Sequence, residues 1–331
     1  MKPLLLVICT LLLASCANKS ANPRVRIAIV GTGLQTSVIP LFLADSLGYY
    51  KAKGLDVTIE NLASNEKSMQ AMVGGSVDVA AASFSQILYL SAQGQQVRSF
   101  FVGVRRNSFV LIVAPSATAR IHRPADLKGA VIGTIGATGL PFLNHYMAAH
   151  GIPTTEFSAV TIGVGQSAIA AIESGRIAAA NVAGGDHIRL LHRHPNLRIL
   201  VDSSTPQGML ETFGSEAYAA GTLAAKQSWL DSNPDTARRL ARASQRALQW
   251  IATHTPEQIR EQFPPSFRSP DDAIDLDIIR WASPGFSTDG RMPTGAPEAW
   301  KTHLGSLAEN IRHAKFDLNA TWTNDFLPNS K

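Results

Sequence analysis

Cysteine is scarce in this sequence: only Cys9 and Cys16 occur among its 331 residues. Because both lie within the first sixteen residues, the chain that follows can have no disulfide, no thiol nucleophile and no thiolate metal ligand. Its stability must come from the burial of apolar side chains, and 45% of the residues are apolar. This length and composition are sufficient for two domains with cores of ordinary size.

Charged residues are also sparse, at 17% of the sequence, and no long run of one charge occurs. The formal net charge is +5, and the basic residues are scattered apart from Arg105-Arg106 and a group at Arg238, Arg239 and Arg242. A scattered excess of this size does not form the continuous basic surface that nucleic acids bind. No nucleic acid partner is therefore expected.

Long hydrophobic runs are absent except at the start of the chain. Lys2 precedes the nearly unbroken apolar run 4–13, which is too short to span a bilayer. The residues Leu13-Ala14-Ser15-Cys16 then resemble the lipobox of bacterial lipoproteins, and this resemblance implies a lipid on Cys16. We predict a lipoprotein signal peptide with its lipobox at residues 1–16 and a tether at 17–24. The protein is then expected in the periplasm or at the cell surface, with membrane contact through the N-terminal lipid only. An ordinary secretory signal is the alternative.

Motifs for catalysis, metal binding and dinucleotides are missing as well. There is no Gly-x-Ser-x-Gly nucleophile elbow. His187, His192 and His194 have neither zinc-ligand spacing nor the spacing of one helix face. The dinucleotide fingerprint that Gly31-Thr32-Gly33 would begin needs a glycine at position 36, which is Thr36. We predict no enzyme, no metal and no cofactor, and a periplasmic enzyme is kept as the alternative from another class.

What the sequence does contain is a regular alternation of short apolar strands with helices, starting at residue 25. The order helix, glycine, apolar strand at residues 69–80 returns at residues 170–180. Such alternation predicts an α/β fold with mainly parallel sheets. The repetition predicts two similar lobes of ordinary domain size.

Short motifs in a fixed order carry a resemblance over residues 25–328. They are Phe42-Leu43-Ala44, Gly48-Tyr49-Tyr50, Gly54-Leu55-Asp56-Val57, Met69–Ala80, Asp126-Leu127-Lys128-Gly129 and Asn324-Asp325-Phe326-Leu327. With these motifs the chain resembles the sulfonate, nitrate and thiamine-precursor binding proteins of ABC importers. The resemblance implies a two-lobed, hinged fold of the periplasmic-binding-protein type II, a monomeric chain, and the permease and ATPase subunits of an importer as partners.

Two crossing strands are expected near residues 109–114 and 216–223. The lobe boundaries predicted from them are 25–110 plus 220–331 for lobe one and 111–219 for lobe two. Between such lobes, a ligand is expected at loops that follow strands and begin helices, where unpaired N–H groups suit anions.

The residues that we predict to bind ligand lie in such loops or at strand ends. They are Gly33, Gln35 and Thr36; Ser83, Phe84 and Ser85; Arg106; Ala137, Thr138 and Gly139; Gln166; and Asn181. The glycines permit close approach, the hydroxyl and amide groups form hydrogen bonds, and Arg106 could pair with an oxyanion. Phe84 could stack on an organic group.

Each of these positions also has a plain structural explanation, since Ser85 and Thr138 suit helix N-caps and Arg106 suits an exposed strand end. The chain departs from the sulfonate binders at Ala178, where they carry an aspartate, and at Ala183-Gly184-Gly185, which lacks aromatic residues. We predict a sulfonate, taurine or nitrate-type ligand. A thiamine-pyrimidine precursor or another heteroaromatic is the alternative, and a sensory binding lobe is an alternative to import.

Overall fold

The computed structural model describes residues 22–30, 34, 36–62, 64–136 and 139–329. The strands in these residues form two five-stranded sheets, in the orders β2-β1-β3-β10-β4 and β7-β6-β8-β5-β9. Their bounds are β1 Arg24–Val30, β2 Asp56–Leu62, β3 Val79–Ala82, β4 Val97–Val104, β5 Val110–Val113, β6 Val131–Thr134, β7 Ser158–Thr161, β8 Ala179–Val182, β9 Ile199–Asp202 and β10 Gly221–Lys226.

Helices cover both sheets and make up the C-terminal third. Their bounds are α1 Ile39–Ser46, α2 Tyr49–Ala52, α3 Asn65–Gly74, α4 Phe84–Ala92, α5 Gly139–Ala149, α6 Gln166–Glu173, α7 Asp186–Arg193, α8 Pro206–Phe213, α9 Gln227–Ser232, α10 Pro234–Ile251, α11 Pro256–Glu261, α12 Asp272–Ala282, α13 Ala296–Leu307 and α14 Glu309–Arg312. The predicted α/β class is confirmed. Among the described residues, no helix has the length and apolar content needed to span a bilayer.

Both sheets are mixed, which corrects the prediction of mainly parallel sheets. β1 runs parallel to β2 and β3, whereas β10 runs antiparallel to β3 and β4. In the second sheet β6 runs parallel to β7 and β8, whereas β5 runs antiparallel to β8 and β9. The physical reason is that β5 and β10 each enter from the other sheet, at the edge where their neighbours end, without the crossover that parallel pairing requires.

Two segments connect the sheets: residues 105–109 link β4 to β5, and residues 203–220 link β9 to β10. The side chain of Asn107 donates a hydrogen bond of 3.2 Å to the Tyr218 hydroxyl, so the two segments are tied together. Both segments join the edge where β3 and β4 end to the edge where β6 and β8 end. The two carboxyl-end edges therefore face each other across the connection. The division of strands is compatible with the predicted lobes, whose bounds stay a prediction.

The C-terminal helices contact both halves of the molecule. α12 packs against α11 and also against α7, and Trp281 Nε1 donates to Asp202 Oδ2 at 3.0 Å. α13 packs against both α4 and α5, where the rings of His303 and His145 lie 4.8 Å apart. These contacts connect the segment after β10 to helices of the second sheet as well as to the first.

Candidate functional site

The loop after β3 carries the predicted residues Ser83, Phe84 and Ser85 at the start of α4. The hydroxyl of Ser85 donates to the hydroxyl of Ser83 at 3.0 Å, and Ser83 makes no side-chain cap bond to the helix. The ring of Phe84 has no exposed surface, because it is part of the core beneath α4 with Ile87 and Leu88. Stacking of Phe84 on a ligand would require the ring to leave that core.

Arg105 and Arg106 follow β4, where the chain leaves the first sheet. Arg105 Nη2 pairs with Asp289 Oδ1 at 2.5 Å, so its charge is compensated. Arg106 forms no ion pair within the described part of the chain, and its Nη1 donates to the Ser204 carbonyl at 3.4 Å. Of the two, Arg106 is the guanidinium available to an anion, and it lies at the segment that connects the sheets.

The edge of the second sheet brings together Thr134, Gly139 and Asn181. The parallel register that pairs Gly133 with Ala180 sets Thr134 at the end of β6 beside Asn181 of β8. Asn181 Nδ2 donates to the Gly139 carbonyl at 3.0 Å, which fixes the first residue of α5 against β8. We call these three residues the α5 cradle.

Two atoms of the α5 cradle are buried without a hydrogen-bond partner. They are Thr134 Oγ1 and Asn181 Oδ1, in side chains whose residues are 3% and 0% exposed. A Cβ atom on Gly139 would lie 2.6 Å from Thr134 Oγ1 and 2.8 Å from Asn181 Nδ2, so only glycine fits there. Buried polar atoms in native proteins nearly always have partners, so this edge has hydrogen-bonding capacity that the described residues leave unused.

The loop before α6 differs, because the protein's own carboxylate occupies it. Asp186, fully buried, accepts from the Gly165 N–H at 2.7 Å and from Arg189 Nη1 at 3.1 Å. Burial raises the pKa of Asp186, while the Gly165 and Arg189 bonds oppose that rise. Gln166, the predicted ligand residue at the start of α6, is exposed at the edge of the sheet.

The three histidines of the sequence pattern have separate partners. His187 packs its ring against Trp281 at 4.6 Å, and burial lowers the pKa of its imidazole. His192 contacts Asp277 at 2.9 Å, and His194 contacts Glu173 at 3.0 Å. Within the described ranges, no group of three or more His, Cys, Asp or Glu side chains could hold a metal ion.

Of the remaining predicted residues, Thr36 is buried, 7% exposed, and lies three residues before the start of α1. Cys16, Gly33, Gln35, Ala137 and Thr138 lie outside the described residues. Two surface concavities of about 500 and 400 Å³ lie elsewhere, around Tyr50 and around Phe286, and include none of the predicted ligand residues.

Thr134 is a candidate that the sequence analysis missed. It ends the strand segment Val131-Ile132-Gly133-Thr134, and its hydroxyl at the position of an apolar side chain was the available signal. A β-branched residue also suits a strand for steric reasons alone, so the pattern did not distinguish Thr134 from an ordinary strand residue.

Comparison with protein families places a match over residues 35–259, to the family model described as NMT1/THI5 like. The YtlA protein of Bacillus subtilis (strain 168), which carries the name of a binding protein without a stated ligand, is 24% identical over 92% of this chain and 90% of its own length.

Solved structures share the fold over almost the whole chain. A protein of Bordetella bronchiseptica RB50 is 31% identical, with a TM-score of 0.80 over 92% of this chain and 95% of that one. The alkanesulfonate-binding protein SsuA of Xanthomonas axonopodis pv. citri is 16% identical, with a TM-score of 0.66 over 90% of this chain and 98% of that one. The expected fold of the periplasmic binding proteins is confirmed by this likeness.

Proposed function

Because the chain belongs to the NMT1/THI5-like family, we propose that it is an extracytoplasmic solute-binding protein that captures a small organic molecule for an ABC importer. The observation that carries the proposal is the pair of buried, unpartnered atoms in the α5 cradle, Thr134 Oγ1 and Asn181 Oδ1. Leaving such atoms unpaired costs stability, and a ligand between the sheets would pair them.

The position of the cradle supports a site between the two sheets. In open α/β sheets, ligands bind in the crevice beyond the carboxyl ends of the strands. Thr134 ends β6 at that edge, and Ser83 follows β3 at the facing edge of the first sheet. The predicted residues Thr36, Ser83, Ser85, Arg106, Gly139 and Asn181 belong to these two edges in our proposal, which assigns the sheets to lobe one and lobe two.

We further propose that the lobes close on the ligand by rotation about residues 105–109 and 203–220. Hinge closure around a solute uses a few connecting residues of this kind. Small-angle scattering should show a smaller radius of gyration at saturating ligand. An unchanged radius in a sample with proven binding would contradict closure.

The membrane attachment that we propose is the lipid on Cys16, with the tether 17–24 leading to β1. Cys16→Ser should release the protein from the membrane fraction or leave its signal peptide uncleaved. Mass spectrometry of the wild-type N-terminus checks the same point, because an unmodified mature chain that begins elsewhere would exclude the lipid.

Two ligand classes compete within this function. Arg106, which has no carboxylate partner in the described residues, and the N-terminus of α5 favour an anion such as a sulfonate, taurine or nitrate. A heteroaromatic such as a thiamine-pyrimidine precursor is the second class. A thermal-shift screen of sulfonates, nitrate, carboxylates and pyrimidines tests the function, since a ligand at one hundred times its Kd stabilises the native state by about 2.7 kcal/mol. No shift with any class would contradict solute binding of these kinds.

A further inference from the structure

The orientation of the Asn181 amide determines which atom the α5 cradle leaves free. A carbonyl oxygen can only accept, so the Asn181 atom that lies 3.0 Å from the Gly139 carbonyl must be the donor, Nδ2. The free atom is then Oδ1, which can only accept a hydrogen bond. Asn181 is 0% exposed, and Oδ1 has no partner among the described residues.

The second free atom has a different capacity. Thr134 Oγ1 is a hydroxyl oxygen, so it can donate one hydrogen bond and accept others. Thr134 Oγ1 and Asn181 Nδ2 lie 2.6 and 2.8 Å from one point, the position of a Cβ on Gly139, so they are at most about 5.4 Å apart. The free oxygen Oδ1 belongs to the same amide group as Nδ2, so the two unpaired atoms lie on neighbouring side chains.

No residue of the cradle carries a charge. The first turn of α5 adds the backbone N–H groups of Gly139 and Leu140 as donors, whereas Pro141 has none. The cradle thus offers donors from Thr134 and from the helix, and one obligatory acceptor from Asn181. A matching ligand group has an acceptor beside an N–H or O–H donor.

Resting on the proposed function, we infer that the α5 cradle holds the lactam edge of a heteroaromatic ring, in which a ring N–H lies beside a carbonyl. The ring N–H donates to Asn181 Oδ1, and the carbonyl accepts from the Thr134 hydroxyl or from the start of α5. This chemistry chooses between the two ligand classes of the proposed function.

Nitrate and simple alkanesulfonates fit the cradle less well, because their oxygens only accept. Such an anion would satisfy Thr134 and the helix N–H groups but would leave Asn181 Oδ1 buried and unpaired. It would also place a negative group beside a carbonyl-type oxygen. Taurine has a donor, but its ammonium group lies two carbons away from the sulfonate and not beside it.

The test is calorimetric titration of the purified protein with matched probes. Uracil and riboflavin supply the lactam edge, 1,3-dimethyluracil and N3-methylriboflavin lack its N–H, and ethanesulfonate and nitrate represent the anions. We expect binding of a lactam probe, and a loss of roughly ten- to hundredfold on N-methylation, as for one lost hydrogen bond to a buried group.

Two test variants and one control variant accompany the probes. Thr134→Val keeps the shape of the side chain and should weaken the lactam probe by roughly tenfold. Thr222→Val is the control, since Thr222 is equally buried in β10 and donates to Ala82 at 3.0 Å, away from the cradle. Asn181→Leu should remove binding, and because it also removes the bond to Gly139, its melting temperature is measured alongside.

The outcomes separate the inference from the proposed function. Binding of ethanesulfonate or nitrate but of no lactam upholds solute binding and overturns the lactam assignment. Equal binding of the N-methylated probes, or wild-type affinity in both Thr134→Val and Asn181→Leu, also overturns it. A protein that binds none of the probes overturns the lactam assignment and counts against the proposed function as well.

Discussion

Helices α4 and α5 begin in the same way and yet differ at their first residue. Each follows a buried strand end and packs against α13. The first residue of α4 is Phe84, whose ring is fully buried, whereas the first residue of α5 is Gly139, where a Cβ would collide with its neighbours. The start of α4 is filled by the protein's own side chain, and the start of α5 admits none.

The hydrogen bonds show the same difference. At α4 the two hydroxyls of Ser83 and Ser85 bond to each other. At α5 the Thr134 hydroxyl and the Asn181 carbonyl oxygen are buried and unpaired. From this comparison we expect a ligand to take most of its hydrogen bonds from the α5 cradle. The start of α4, whose hydroxyl groups are already paired, should mainly supply a contact surface.

The largest effect should come from filling the α5 cradle. Gly139→Ala places a methyl group 2.6 Å from Thr134 Oγ1 and 2.5 Å from Ile135 Cγ1, so neighbours must shift. We expect loss of ligand binding and a destabilisation of about 1–3 kcal/mol, as for overpacking. Thermal melts and calorimetry measure the two effects.

Gly74→Ala is the matched control for this variant. Gly74 also lies in a helix, and a Cβ there would meet nothing within 4 Å. Gly74→Ala should leave the free energy of unfolding unchanged or raise it by up to about 1 kcal/mol, because alanine has a higher helix propensity than glycine. Equal melting temperatures and equal ligand affinities of the two variants would show that the neighbours of Gly139 tolerate a methyl group.

The sequence predicts this architecture better than it predicts the chemistry of the site. Strand–helix alternation gives the α/β class, and Leu240, Ala243, Ala247 and Leu248 of α10 form the buried face that their spacing predicts. The prediction of mainly parallel sheets was wrong because β5 and β10 run antiparallel to their neighbours, and local sequence patterns do not show the direction of a strand.

The site residues show why local pattern is insufficient. Gly139 and Asn181 were predicted from their places after strands, but the bond between them joins positions 42 residues apart and has no local signal. Phe84 was predicted as a stacking residue from its place alone, and its burial depends on the packing of the whole core. Thr134 is set beside Asn181 only by the register of β6 and β8.

The contact of α5 with α13 should make stability depend on pH in a way that the contact of α4 does not. Burial lowers the pKa of His303 to about 3, and repulsion from His145 of α5, when that ring is protonated, adds to the effect. Burial lowers the pKa of His145 as well. In the unfolded chain a histidine binds its proton near pH 6.5, whereas the buried histidines must stay uncharged in the folded protein. Their effect therefore leaves the free energy of unfolding at its full value above pH 6.5 and lowers it as pH falls toward 3.

For His303 alone the expected loss is about 2 kcal/mol at pH 5 relative to neutral pH. His303→Phe keeps an aromatic ring beside Phe213 and Trp300 and should melt with a weaker dependence on pH between 6.5 and 5. Chemical denaturation at several pH values checks this. Identical pH profiles for wild type and variant would exclude His303 as the titrating group.

Stability without ligand should separate paired from unpaired threonines. Thr134→Val removes a buried hydroxyl that has no partner, so the ligand-free protein should gain about 1 kcal/mol. Thr222→Val removes a hydroxyl that donates to Ala82, so the protein should lose about 1 kcal/mol. Shifts of the same sign in melting temperature would contradict the distinction between the two sites.

The smallest effect is expected at the start of α4, from Ser83→Ala. Ser83 occupies the N-cap position of α4, but its side chain makes no cap bond to the helix and instead accepts from Ser85.

Ser64→Ala is the matched control, because the Ser64 hydroxyl caps α3 by accepting from the Lys67 N–H at 3.2 Å. Losing that cap should cost about 1 kcal/mol. Ser83→Ala should cost less than Ser64→Ala, because no cap bond between the side chain and the helix is lost. If Ser83→Ala destabilises the protein as much as Ser64→Ala does, the hydroxyl pair supports α4 itself. A small stability effect together with weaker ligand binding would instead make Ser83 a ligand contact and extend the site from the α5 cradle to the facing edge.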